Sequence, residues 1–244
     1  MNTIRLTIAY DGTAYIGWQR QAQGASIQQL IEGALAQILG ETVVLHSSGR
    51  TDSGVHALGM VAHFRTERNL PLAAYREGVN RLLPRDVAVQ EALEAPADFH
   101  ARFSARGKWY RYALYQGVVC SPLLDRTAWH LRGALDWTAM EEGARLFVGT
   151  HDFAAFRSSG CEAKGTVREI YAVDLVREGE LLYINVRGSG FLRNMVRVMV
   201  GTLVEIGMGK RPAGDIGRLL EGGDRCQAGR TAPSRGLCLM EVWY

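Results

Sequence analysis

Strand-like and helix-like periodicities alternate along this chain and then alternate again in a loosely similar order. Residues 3–10 put Ile4, Leu6, Ile8 and Tyr10 on one side and Arg5, Thr7 and Ala9 on the other, the two-residue period of a half-buried strand. Ser26 and Gln29 have the spacing of a capping box, and Ile27, Leu30, Ile31, Ala34, Leu35, Ile38 and Leu39 follow at helical spacing until Gly40. Strands are expected over 43–46 and 55–64, a helix over 72–83 closed by Pro84, and a short strand over 87–93. The second half restarts with a strand over 109–115, a helix from Asp136 through Leu146, and strands over 167–176 and 181–186. A long, nearly all-apolar helix over 191–206, a shorter one over 213–220 and a strand over 237–242 follow, with glycine-rich connections at 207–212 and 222–234. The expected class is α+β, in two related halves of mostly antiparallel sheet with helices on one face, divided into residues 1–105 and 106–244.

The chain has 244 residues, of which 47% are apolar, enough for one large core or two smaller ones. No apolar run approaches the ~20 residues of a membrane span. Met1 leads directly into a strand-like segment, so neither a signal nor a transit peptide is expected, and the expected location is the cytoplasm. Cys120, Cys161, Cys226 and Cys238 show no close pairing, and no Cys or His pair has zinc-finger spacing, which suggests ordinary thiols in a reducing compartment. A net charge of +3 excludes a strongly basic nucleic-acid coat. The chain has 25 Arg against 3 Lys. Arginine's planar fork suits phosphate contacts and base stacking, but G+C-rich coding produces the same bias, so an RNA surface must come from local clusters. Arg65/Arg68, Arg76/Arg81/Arg85, Arg102/Arg106/Lys108/Arg111 and Arg187/Arg193/Arg197 are such clusters.

Between two apolar runs lies Ser48-Gly49-Arg50-Thr51-Asp52-Ser53-Gly54-Val55-His56-Ala57. Gly49 and Gly54 let the backbone turn sharply and approach a ligand closely. A carboxylate with an ordinary pKa of ~3.9 is an anion at neutral pH, which suits Asp52 to a nucleophile or base rather than a general acid. The decapeptide by itself also reads as an Asx-type turn with a solvated Asp.

The same segment resembles the signature loop of the TruA-type tRNA pseudouridine synthases, Gly-Arg-Thr-Asp-x-Gly-Val-His-Ala, whose Asp is catalytic. Further matches follow in the same order along nearly the whole chain. They are Tyr10-Asp11-Gly12-Thr13 with Gly17-Trp18-Gln19, Phe99-His100-Ala101-Arg102-Phe103-Ser104-Ala105, Tyr110-Arg111-Tyr112, Gly190-Phe191-Leu192-Arg193-Asn194-Met195-Val196-Arg197, and Ala232-Pro233-Ser234-Arg235-Gly236-Leu237. The resemblance implies the pseudouridine synthase fold, two α+β halves whose sheets join with the active cleft between them, in a homodimer. It implies isomerisation of uridine at about positions 38–40 of the tRNA anticodon arm, with the base flipped into the site. No metal and no cofactor are implied.

Residue roles follow from the same likeness. Arg193 and Arg197 lie four apart on the expected apolar helix, where like charges oppose each other and the helix dipole. Either they snorkel at an exposed edge or at least one meets an anion. The resemblance pairs Arg197 with Asp52 and leaves Arg193 to pair or to face phosphate. Tyr110 points opposite to Trp109 and Arg111 on its strand and offers a ring for stacking uracil. The first Tyr of Tyr-x-Tyr contacts the target base in the family, and Leu237 matches the apolar residue lining the other side of the pocket. Arg50 either tunes Asp52 or fills the gap left by the flipped nucleotide, and the resemblance favours the second. Phe99, His100, Ala101, Arg102 and Phe103 match a tRNA-contacting segment, with Arg102 as its phosphate ligand.

His56 and His63, seven apart on one strand, face opposite sides and make no metal site. Residues 207–211 resemble a phosphate loop but lack its Ser/Thr and its first Gly, and 188–190 lack the third Gly of a dinucleotide fingerprint. Two other classes stand beside the isomerase. One is a non-catalytic RNA-binding module. The other is a glycosidase, in which Glu41, Asp11 or Glu169 would have to be a second carboxylate ~5–9 Å from Asp52.

Overall fold

The computed structural model describes residues 1–161 and 163–244. Within these residues lie ten strands and four α-helices, an α+β fold, in two compact units. The first unit is Met1–Arg106 with Cys238–Tyr244, and the second is Gly107–Leu237. The last strand, expected with the second half, is therefore counted with the first. Its backbone pairs there, since Cys238 and Leu239 lie opposite His56 and Ala57.

In the first unit, β1 (Asn2–Tyr10) runs antiparallel to β3 (His56–Thr66) on one side and β4 (Val87–Ala95) on the other. Ile4, Leu6, Ile8 and Tyr10 are buried, as the alternation requires. β2 (His46–Ser47) pairs with β3, and β10 (Leu237–Trp243) lies parallel to it. Helix α1 (Ile27–Leu39) starts at Ser26, whose hydroxyl accepts the Gln29 N–H at 3.3 Å, and stops at Gly40 with φ 69°.

The strand expected over 43–46 is reduced to the start of β2. Glu32, buried on α1, accepts the Leu45 N–H at 2.9 Å, and Gln28 Nε2 donates to the Leu45 carbonyl at 3.2 Å. Helix side chains have thus taken the backbone groups a strand ladder would use. The helix expected over 72–83 ends at Asn80, with Ala74–Gly78 wound as a π-helix. The Val79 carbonyl accepts from both Leu82 and Leu83 (3.0 and 3.2 Å), which tightens the chain into a turn before Pro84.

In the second unit, β5 (Gly107–Gln116), β9 (Leu181–Gly188), β8 (Val167–Glu178) and β7 (Gly149–Asp152) pair antiparallel in that order, and β6 (Trp129–Leu131) lies parallel to β5. Helix α2 (Trp137–Arg145) is capped by Asp136, whose carboxylate accepts the Ala139 N–H at 3.0 Å. Helix α4 is Asp215–Leu220. Helix α3 (Met195–Gly207) is buried on nearly every side, as its composition predicts, but begins four residues later than expected. Asn194 holds φ 60°, a left-handed conformation in which a helix cannot continue. Arg193 therefore lies outside the helix and shares no helical face with Arg197. Its guanidinium reaches the Ser159 and Gly160 carbonyls at 3.4 and 3.5 Å.

Segment 229–232 crosses α3 at close range. A Cβ on Gly201 would stand 1.7 Å from the Arg230 carbonyl oxygen, so backbone would have to move. Gly201→Ala is expected to destabilise the protein by about 2 kcal/mol, against the small gain usual for Gly→Ala in a helix. Thermal or denaturant unfolding measures this.

His63 gives the first unit a pH dependence. Burial, then the nearby His100 and His46 rings, push its pKa down to about 4 from an ordinary value near 6.5. The folded state favours the neutral ring, so this contribution is complete above about pH 6.5 and is lost as pH falls through about 4. The melting temperature should drop over that window. His63→Gln, which keeps an acceptor for the Ala101 N–H, should flatten the drop.

Candidate active site

In the first unit, Asp52 sits on the loop between β2 and β3, held by contacts to residues on both sides of it. Thr51 is buried, and its hydroxyl bonds the Tyr10 hydroxyl at 2.8 Å. Its carbonyl accepts the Trp18 N–H at 3.1 Å. Gly17 and Asp52 form an isolated antiparallel bridge, and Ser53 Oγ donates to the Tyr15 carbonyl at 3.0 Å. The Val55 N–H returns to the Asp52 carbonyl at 3.2 Å, closing the turn through Gly54 at φ 75°. The bracing strip is itself anchored on α1, because Ile27 and Gln28 donate to the Gly17 and Trp18 carbonyls (3.2 and 3.0 Å). A Cβ at Gly17 would lie 2.5 Å from the Thr51 carbonyl oxygen, so this approach needs glycine.

Asp52 is half-buried and Arg50, on the same loop, is exposed. Just past the loop, buried His56 accepts the Gly12 N–H on Nδ1 at 3.0 Å, and Asp11 Oδ1 lies 3.1 Å from the same nitrogen. Asp11 also accepts the Thr13 N–H at 2.9 Å, so it serves as a turn and capping residue. Glu41 accepts from Thr66 Oγ1 at 2.6 Å. The Phe99–Phe103 segment packs on β3 on the side of His63: Phe99 and Ala101 are buried, while Arg102 and Phe103 are exposed.

The second unit carries Tyr110, Arg197 and Leu237. Tyr110 lies on β5 opposite Val186, with its ring edge-on to Phe191 at 5.2 Å and 87°. Trp109 and Arg111 point the other way and share Asn185 Oδ1, at 3.0 and 2.9 Å. Arg197, in the first turn of α3, clamps Ala232 from two sides. Its carbonyl accepts the Ala232 N–H at 3.0 Å, and its Nε donates to the Ala232 carbonyl at 2.7 Å. Its Nη1 donates to Asn194 Oδ1 at 2.7 Å. These bonds set the plane of the guanidinium. The clamp also fixes the approach to Leu237, which is buried, since Tyr112 donates its hydroxyl to the neighbouring Pro233 carbonyl at 2.7 Å. Burial pushes the Tyr112 pKa up and keeps that hydroxyl a donor.

The sequence reading missed Tyr10, Gly17 and Trp18 as supports of the Asp52 loop, and Asn194 and Ala232 as supports of Arg197. All five lie in motifs matched to the family, and Asn194 left a physical signal as well, because Asn is enriched at positive φ.

A family model described as tRNA pseudouridine synthase matches residues 6–104 and 144–244. The tRNA pseudouridine synthase A of Syntrophotalea carbinolica is 62% identical over 244 residues, covering 100% of this chain and 97% of the relative. That of Citrifermentans bemidjiense is 56% identical over 245 residues, covering 100% and 98%. That of Acetivibrio thermocellus is 47% identical over 244 residues, covering 100% of both. With a family model matched over most of its length and relatives matched from end to end, the chain belongs to the tRNA pseudouridine synthase family, whose members are isomerases.

Proposed function

We propose that Asp52 is the catalytic carboxylate and that the substrate is uridine at about positions 38–40 of the tRNA anticodon arm. The observation that carries the reading is the mounting of Asp52. The Thr51–Val55 turn is bonded to Tyr10, Tyr15 and Trp18 and bridged to Gly17, while Asp52 stays only half-buried. A reactive group on a turn this restrained loses little further conformational entropy when a nucleotide arrives.

In the proposed mechanism the target uridine leaves the stack, and Arg50 takes its place there. Asp52 starts the reaction, either by attacking the nucleotide or by removing a sugar proton. In this reading Arg197 pairs with the carboxylate, as the family likeness implies. Tyr110 and Leu237 sandwich the uracil while the glycosidic C–N bond breaks, the ring rotates, and C5 bonds to the sugar. A phenol or water then removes the C5 proton, N1 takes a proton from solvent, and Asp52 is released from the nucleotide or returns the sugar proton; general-base help at C5 typically supplies ~10²–10⁴-fold. The residues proposed need neither a metal nor an organic cofactor. The family likeness supports action as a cytoplasmic homodimer.

Tritium release from tRNA carrying [5-³H]uridine tests the role of Asp52. Wild type is expected to release tritium, and Asp52→Asn to slow release by about 10³-fold or more while binding tRNA as before. Release by Asp52→Asn at the wild-type rate would remove Asp52 from the chemistry. Free uracil accumulating in place of pseudouridine would point to glycoside hydrolysis. Assays on tRNAs altered one at a time at these positions test the regional assignment.

A further inference from the structure

Phe103 is 75% exposed, yet its ring is held in place. It lies 4.4 Å from the His100 ring at 38°, and the Arg102 guanidinium sits 5.7 Å over its face. His100 is itself packed 4.8 Å from His63 and 5.6 Å from His46.

The backbone beneath these rings is restrained at almost every step. His100 Nδ1 accepts the N–H groups of Arg102 and Phe103 at 3.1 and 3.4 Å, which places the ring proton on Nε2. The His100 N–H donates to Ser104 Oγ at 3.1 Å, and Ser104 N–H returns to the His100 carbonyl at 2.9 Å. Buried Ala101 donates to His63 Nδ1 at 3.2 Å and accepts from the Tyr244 hydroxyl at 2.7 Å. The turn thus presents one apolar ring to solvent in a defined orientation, although the ring fills no core.

We propose that Phe103, backed by His100 and His46, is a stacking platform for one unpaired base of the tRNA, with Arg102 binding an adjacent phosphate. The proposal rests on the reading of residues 99–103 as a tRNA-contacting segment and adds a base contact to it. Three observations choose this occupant over a protein partner. The exposed apolar surface on the turn is one ring, since Phe99 and Ala101 are buried, which matches a single base and is far smaller than a protein interface. The exposed neighbours Arg65 and Arg102 supply positive charge for a phosphate backbone. An aromatic face beside a guanidinium is also the arrangement that binds single-stranded bases without reading their sequence.

The test measures tRNA affinity at several salt concentrations for wild type, Phe103→Ala, Phe103→Leu, Phe103→Trp and Arg102→Ala. Phe103→Ala and Phe103→Leu are both expected to weaken binding by about 5- to 150-fold with the salt slope unchanged. Phe103→Trp should bind as wild type does, and tRNA should quench its added fluorescence relative to wild type. Arg102→Ala should lower the slope by ~0.7–0.9. Full affinity in Phe103→Ala beside a weakened Arg102→Ala would overturn the platform and leave the segment's tRNA role standing. Full affinity in both would overturn the tRNA role and the platform with it. Full affinity in Phe103→Leu alone would replace stacking with a simple apolar contact. Because Phe103 is exposed, melting temperatures should match wild type and separate binding from folding effects.

Discussion

The contacts of Tyr10, Gly17 and Trp18 with Thr51 and Asp52 are the constraint that holds the Asp52 turn of the first unit. Ordering a flexible residue costs about 1–2 kcal/mol, so a carboxylate on a glycine-flanked turn would be poorly aimed if nothing held the turn. Here the holding groups belong to the buried core. Tyr10 ends β1, Trp18 is buried, and the strip between them is tied to the first residues of α1. The alternation of β1 and the capping of α1 therefore serve the site as well as the fold, because slippage of either would release Asp52.

The second unit solves a similar problem with a helix. Gly201 lets segment 229–232 lie directly on α3, and bonds from Arg197 to Ala232 and from Gly229 N–H to Thr202 Oγ1 (3.0 Å) fix it there. Arg197 is an expensive residue on so apolar a helix, and the Ala232 carbonyl and Asn194 amide meet part of its hydrogen-bonding need. The same bonds orient the guanidinium and carry the chain toward Leu237. Histidine plays the equivalent part under the 99–104 turn, where neutral imidazoles accept backbone N–H groups that would otherwise go unpaired. Keeping those rings neutral is the source of the acid sensitivity expected of the unit.

Most strands and helices were legible because their signals are local. Alternation gave β1, helical spacing with Ser26, Gly40 and Asp136 at the ends gave α1 and α2, and β8 and β9 lie where strands were expected. One misplaced element had its backbone groups claimed from a distance, and another was delayed by the residue just before it. Glu32 and Gln28 took the Leu45 amide and carbonyl away from a strand, and Asn194 took a left-handed conformation that delayed α3. The short strands β6 and β7 have too few residues to show a period.

By itself the sequence determined the α+β class, the family likeness, and the residues singled out for chemistry, since motifs and periodicities are properties of neighbours along the chain. Tertiary structure alone decided that Arg193 leaves the helix, that Cys238–Tyr244 joins the first unit, and which groups brace Asp52 and Arg197. The reason is physical. A buried polar group takes whichever partner the packed chain brings within about 3 Å, and that choice is made between segments far apart in sequence.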